Sequence, residues 1–393
     1  MTGWVDRALA EAEQADVADA GPLVPPERRG SPQPAAGTVR EELVLERIDR
    51  TRRARPRVRE DRITMSHGAG GKATQSLIEA IFLDAFVNPL LEPLEDGASL
   101  RIGESRLAFT TDSYVVSPLF FPGGNIGDLA VNGTVNDLSM TGAVPLYLSV
   151  GFILEEGFPV EDLTRITASM AEATRQAGVQ IVTGDTKVVQ RGKADGCYLN
   201  TAGIGLIAAD VNLGVAHARP GDAIIVSGPI GDHGITIMLA RGELDIEADL
   251  TSDTAPLNSL VASLLGATTG VRALRDATRG GVATIMNEIA RAADVGVLVN
   301  EDAIPVRDQV RGASELLGID PMYVACEGRM VVVVEGAVAD VALSALRAHP
   351  AGAQAAIIGH VIAEPKGIVQ LRTSFGGTRI VDLLVGDPLP RIC

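Results

Sequence analysis

The segment His67-Gly-Ala-Gly-Gly-Lys72 packs glycines ahead of a lysine. Glycines let backbone N–H groups approach phosphate oxygens, and a lysine adds a point charge. The spacing is not that of a Walker A loop, so a phosphate loop and a plain surface turn both fit it. Thr110-Thr-Asp-Ser113 closes an apolar run, and Asp112 there suits Mg2+ at the carboxyl end of a strand, or a simple turn. Gly184-Asp-Thr-Lys187 follows the run Val179–Thr183 and adds Asp185 and Lys187. In Asp276-Ala-Thr-Arg-Gly-Gly281, Thr278 and Arg279 stand at the start of an amphipathic pattern, where a helix N-terminus attracts anions or is merely capped.

The run Asp128–Leu138 reads as a helix with an apolar stripe, Val131, Val135 and Leu138, and a polar one, Asp128, Asn132 and Asn136, with Asp137 beside it. Asn and Asp are poor helix formers, and an ordinary solvated face carries Glu, Lys and Arg instead. Short polar groups in a row suit a face packed on a polar ligand or its metal. Together, four Asp-bearing loops or helix ends in an acidic chain point to a Mg-nucleotide site, because clustered carboxylates need a compensating cation. The last residue, Cys393, is an ordinary tail thiol or a nucleophile; at an unperturbed pKa of about 8.5 it needs help to ionise.

These groups must be positioned by alternating strands and helices. Strands are expected at Leu107–Thr111, Pro145–Gly151, Val179–Thr183, Tyr198–Ile207, Ala223–Ser227, Met330–Val334 and Ala355–Ala363, and helices at Gly127–Thr141, Val160–Ala177, Ile235–Leu239 and Val282–Ala293. Arg219-Pro-Gly-Asp222 marks a boundary. The division expected is an N-terminal extension at 1–60, α/β domains at 61–210 and 211–386, and a mobile tail at 387–393 that carries the thiol. The extension holds Pro22, Pro25, Pro26, Pro32 and Pro34 and an Arg-rich run at 50–59, which reads as a solvated arm or a docking arm for an acidic partner.

Composition agrees with an α/β chain: hydrophobic residues make up 46%, aromatics 3%, and there are 43 glycines. A net charge of -16 argues against nucleic acid and anionic membranes as partners. Three scattered cysteines fit neither a disulfide framework nor a zinc ribbon, and a cytoplasmic setting is expected.

From about Ile63 onward the motifs above, with Gly231-Asp-His-Gly234 and the ending Leu389-Pro-Arg-Ile-Cys393, resemble the HypE hydrogenase-maturation family. Several are shared with the wider superfamily of aminoimidazole-ribotide synthetase, selenophosphate synthetase and thiamine-monophosphate kinase, whereas the Pro-Arg-Ile-Cys ending is particular to HypE. The resemblance implies a two-domain aminoimidazole-ribotide synthetase (PurM)-like α/β (α+β) fold and a homodimer through the N-terminal sheets. It also implies ATP-dependent dehydration of a carbamoyl group on Cys393 to a thiocyanate, loaded by a HypF-type carbamoyltransferase and passed to iron on a HypC–HypD complex. Under it, Asp112, Asp137 and Asp276 hold Mg2+, while His67, Lys72, Asn132, Asn136, Asp185, Thr278 and Arg279 line ATP. Lys187 and Glu327 orient and deprotonate the carbamoyl group. Cys326 replaces the Asn usual before Glu327-Gly328, which removes an amide there. Two other readings stay open: another kinase-like enzyme of the superfamily, and a non-catalytic carrier of the iron ligand.

Overall fold

The computed structural model describes residues 57, 58, 60–86, 88–242, 248–386 and 391–393. The extension expected at 1–60, but for 57, 58 and 60, and positions 387–390 of the tail lie outside the described residues. The chain opens with a one-turn helix, Met65–Gly68, and a helical run made of α1 (Lys72–Leu77), a π-turn segment (Ile78–Phe82) and α2 (Leu83–Ala85). Strands β1 (Ala98–Ile102), β2 (Ser105–Tyr114), the short pair β3 (Phe120–Phe121) and β4 (Gly124–Asn125), helix α3 (Ile126–Met140), β5 (Ala143–Glu155), α4 (Val160–Ala177), β6 (Gln180–Val189) and β7 (Cys197–Ile207) follow. They form a five-stranded sheet in the order β1-β2-β7-β5-β6.

Helix α3 starts where Asn125 accepts the Gly127 N–H at 2.8 Å while Asp128 accepts the Asn125 N–H at 2.7 Å, a reciprocal cap that uses the first residue of the polar stripe. Its apolar side, with Leu129, Val131, Val135 and Leu138 buried, covers one face of the sheet together with Ile166 and Met170 of α4. The opposite face has no such cover among the described residues: Phe109, Ile204 and Tyr147, cross-strand neighbours on β2, β7 and β5, are 44%, 38% and 43% exposed.

The second half holds β8 (Ala223–Val226), α5 (Asp232–Ala240), α6 (Asn258–Ala267), β9 (Val271–Asp276), α7 (Gly281–Ala292), β10 (Gly296–Asn300), α8 (Asp308–Leu317), β11 (Met330–Val334), α9 (Ala339–Ala348), β12 (Ala356–Ile362), β13 (Val369–Arg372) and β14 (Thr378–Val381). Its seven strands run β14-β13-β10-β12-β8-β11-β9. Both faces are covered, which is why β11 is an unbroken apolar run: Val331 and Val333 enter one core cluster, and Met330, Val332 and Val334 another.

Two expectations change here. Gly184-Asp-Thr-Lys187 is not a loop after a strand: β6 continues to Val189, paired with β5 out to Glu155, so Asp185 and Lys187 are strand residues. Asp112 likewise lies inside β2.

Candidate active site

The N-terminal sheet, α3 and the end of β9 meet at a group of carboxylates. Asp96, just before β1, Asp137 on α3 and Asp276 at the end of β9 each place an oxygen within 4.8 Å of the others. Thr110 Oγ1 lies 2.9 Å from an Asp137 carboxyl oxygen and 2.8 Å from the Asp96 carbonyl, tying the two together. Burial, then the mutual repulsion of the group, holds the Asp137 and Asp276 carboxyls well above the carboxylate range. Asp96 is pushed up to about 7 by burial, opposed by Arg275, which binds its carboxylate directly. Asp112 extends the same acidic field; it keeps access to solvent, yet enough protein surrounds it for desolvation to raise its pKa. Asp96 was not among the residues selected from the sequence. The signal was the acidic pair Glu95-Asp96 before Gly97, which reads equally well as a turn.

Arg279 stands before α7 and donates from Nε to the Cys393 sulfur at 2.9 Å and from a terminal nitrogen to the Cys393 backbone oxygen at 2.9 Å. It also bonds the Gly68 carbonyl. The glycine loop is therefore packed on the Arg279 loop: Gly70 sits at φ +73, and a Cβ there would lie 2.7 Å from the Arg279 carbonyl oxygen. Thr278 is half-buried in the same loop. Burial pushes the docked Cys393 thiol up to about 12 against the pull of Arg279, so in this position it is protonated.

Glu327 is 3% exposed and faces the same acidic field. Its backbone is held from two sides: Asp253 accepts its N–H at 2.9 Å, and Asn136 donates to its carbonyl at 3.2 Å. Its carboxylate oxygen Oε1 has no hydrogen-bond partner, and burial, followed by Asp276, Asp112 and Asp253, drives its pKa well up. A buried carboxyl with a free lone pair beside a thiol is equipped to accept a proton.

The fold shares its two sequence segments with a known superfamily: the AIR synthase related protein N-terminal domain matches residues 94–207, and the C-terminal domain matches 219–372. A carbamoyl dehydratase HypE of Rhizobium leguminosarum bv. viciae is 55% identical over 333 residues, 84% of this chain and 95% of the relative. The chain belongs to the HypE family. A HypE of Escherichia coli (strain K12) is 50% identical over 336 residues, 84% of this chain and 99% of the relative. Among solved structures, a HypE–HypF complex matches with TM-score 0.75 at 48% identity, over 78% of this chain and 99% of that one. A HypE in complex with ATP matches with TM-score 0.71 at 48% identity, over 84% of this chain and 100% of that one.

Asn132 keeps a buried Oδ1 without a hydrogen-bond partner, while its amide nitrogen donates to Thr254 at 3.2 Å. Asn136, expected at the nucleotide, is occupied otherwise: it accepts the Leu257 N–H at 2.8 Å and donates to the Ala255 and Glu327 carbonyls, stitching α3 to the second half of the chain. His67 is also engaged, with Nδ1 accepting from the Thr64 N–H at 3.1 Å, so it caps the turn that carries the glycine loop. Lys72 pairs with Asp382 at 2.6 Å.

Asp185 and Lys187 pair with each other at the exposed edge strand. Register puts Asp185 in one row with Gly151, Asn200 and Ser113, on the open face of the sheet, whereas Asp112, one residue earlier, faces α3. Within a single chain neither Asp185 nor Lys187 joins the acidic group. Cys326 is fully buried in the core, where its sulfur accepts the Gly231 N–H at 3.2 Å.

Among the described residues, no helix is long and apolar enough to cross a membrane.

Proposed function

We propose that the chain is a carbamoyl dehydratase, acting on a carbamoyl group carried by its own Cys393. The observation that carries this reading is the seat of that thiol, bonded by Arg279 and facing Glu327 and Asp112. The carbamoyl oxygen is a poor leaving group. Transfer of the terminal phosphoryl of the co-substrate ATP to that oxygen releases ADP, and the group loses one N–H proton. Removal of the second N–H proton, the task assigned to Glu327, breaks the C–O bond; phosphate departs and the sulfur keeps a cyano group. Arg279 and Thr278, before the N-terminus of α7, with the glycine loop stacked on them, fit a triphosphate.

Asp96, Asp137 and Asp276, with Asp112 beside them, fit Mg2+: the donors are all hard oxygens, and Asp96 keeps a buried oxygen without a partner. Bound there, the ion supplies charge neutralisation for the phosphates and relieves the repulsion that holds protons on the neighbouring carboxyls. Upstream, a HypF-type carbamoyltransferase loads the thiol; downstream, a HypC–HypD complex takes the cyano group for the iron of NiFe-hydrogenase. The solved HypE–HypF complex of a relative supports the first of these partners.

A second copy of the chain is the natural cover for the open sheet face, whose row Phe109–Ile204–Tyr147 is apolar and solvent-facing. Lys187 lies three strands from β2, roughly 14 Å at ordinary strand spacing, and on the opposite face from Asp112. Its part in orienting the carbamoyl group therefore has to be played toward the site of the second copy.

Intact mass decides the chemistry. Incubation with the carbamoyltransferase, carbamoyl phosphate and ATP is expected to give an adduct on Cys393 that loses the mass of water only when ATP is present. An adduct that forms and never dehydrates leaves a carrier, not an enzyme; absence of any adduct on Cys393 with an active partner overturns the reading altogether.

A further inference from the structure

The last three residues are held through their backbone. Val115 donates its N–H to the Cys393 backbone oxygen and Ser117 to the Arg391 carbonyl, each at 3.2 Å, so Arg391–Cys393 runs antiparallel to the segment leaving β2. In such a pairing the middle residue turns its carbonyl away from the partner strand. The Ile392 carbonyl is met on that far side by His233 Nε2 at 2.9 Å. The Ile392 side chain, 1% exposed, is buried in the same cluster as Ile237, one turn after His233 on α5.

A carbonyl only accepts, so Nε2 carries the hydrogen. Burial brings the His233 pKa down to about 4, which leaves the ring neutral and makes Nδ1 an acceptor. Ser252 Oγ, 2.8 Å from Nδ1, is then the donor, and it accepts in turn from the Thr254 N–H at 3.1 Å. The residue between, Asp253, accepts the Glu327 N–H at 2.9 Å. An unbroken path thus runs from the seated tail to the backbone of the proposed base. The edge of Phe121 against the His233 ring, with centroids 5.6 Å apart, fixes the ring plane.

We propose that His233 is a positioning residue that seats Cys393 beside Arg279 through the Ile392 carbonyl and, through Ser252 and Asp253, ties that seating to the placement of Glu327. The second clause rests on the dehydratase reading; the first does not. Alkylation by iodoacetamide, followed by intact mass in the full chain without nucleotide, reports seating alone, because Cys197 and Cys326 are buried. His233→Ala should raise the rate at Cys393 about tenfold, the cost of one lost buried bond, and His233→Gln, whose amide can still donate to the carbonyl, should restore most of the protection.

Ser252→Ala should leave alkylation near the parent rate while slowing single-turnover dehydration of the carbamoylated chain about tenfold, and this separates the path from the seat. Unchanged alkylation in both His233 variants overturns the seating role. If His233→Ala fails to fold, the Gln variant and Ser252→Ala still decide: equal effects of Ser252→Ala on alkylation and dehydration overturn the path. Should the parent chain never dehydrate a carbamoyl group, the functional reading fails, and the alkylation result stands on its own.

Discussion

Asp137 takes a hydrogen bond from Thr110 and is surrounded by Asp276, Asp112 and Asp96. Its pKa is raised by folding, so at pH values above the unfolded carboxylate's ~3.9 the group costs stability, whether it ionises or holds its proton. Asp137→Asn should therefore raise the Tm of metal-free protein by roughly 2–4 °C, while Mg-ATP affinity measured by calorimetry falls at least about tenfold. A drop in both would mean that the carboxylate is structural. Cys393 carries the opposite test. Its thiol is held near 12 when seated, against ~8.5 when free, so seating binds a proton. Docking is fully favoured below about 8.5 and weakens about tenfold for each pH unit above it, until the seated thiol itself ionises. Cys393 alkylation should thus climb with pH more steeply than that of a free thiol, and a parallel profile would rule out the seat. Asp112, Asp137 and Asp276 were visible as candidates in the sequence because the first closes an apolar run, the second lies beside a polar helix stripe and the third precedes the amphipathic pattern of α7. Asp96 was not, since Arg275, 179 residues away, is what draws it in.

Helix α3 and strand β2 approach so closely that Gly133 has no room for a side chain. A Cβ there would lie 2.1 Å from the Tyr114 hydroxyl oxygen, and Tyr114 is buried. Gly133→Ala should push α3 off β2 and cost about 1–3 kcal/mol in denaturant unfolding, with Mg-ATP binding lost along with it because Asp137 lies one turn further on. Gly266→Ala, inside α6 and facing open space, is the control: it should stabilise by about 0.5–1 kcal/mol. Equal effects at the two sites would leave only helix propensity at work. Elements of this kind were readable where one period dominated. Val160–Ala177 was expected and observed with the same ends, fixed by an acidic first turn and Gly178 at φ 72. Strand β9 was missed because Val271-Arg-Ala-Leu-Arg-Asp276 interrupts its apolar residues with Arg272 and Arg275, whose burial is tolerable only beside Asp222, Glu335, Asp96 and Glu288.

The open face of the five-stranded sheet is a property of the whole molecule that no motif announces. Alternation along β2 and β7 showed only that one side of each strand is polar or small; which side lacks a cover depends on where α3 and α4 pack. The same parity explains why Asp185 and Lys187, grouped with the other chemistry-bearing residues in the sequence, stand apart from them in the chain. If a second copy covers this face, the proposed roles of Lys187 and Cys393 must be divided between copies. Lys187→Ala and Cys393→Ala chains should each be inactive alone. Unfolded and refolded together in equal amounts, they should regain about one quarter of the parent dehydration, since half of the two-fold dimers are mixed and half of the sites in each of those are intact. Sedimentation must show dimers in every sample for that figure to apply. No recovery from mixed dimers would mean that Lys187 and Cys393 act within one chain, whereas a Lys187→Ala chain that dehydrates at the parent rate on its own would place Lys187 outside the reaction and leave its pairing with Asp185 as an ordinary surface contact. An exposed pair of this kind contributes usually under about 1 kcal/mol to stability, so Lys187→Ala stays folded and its activity alone, read before the mixture, separates a surface contact from a catalytic role.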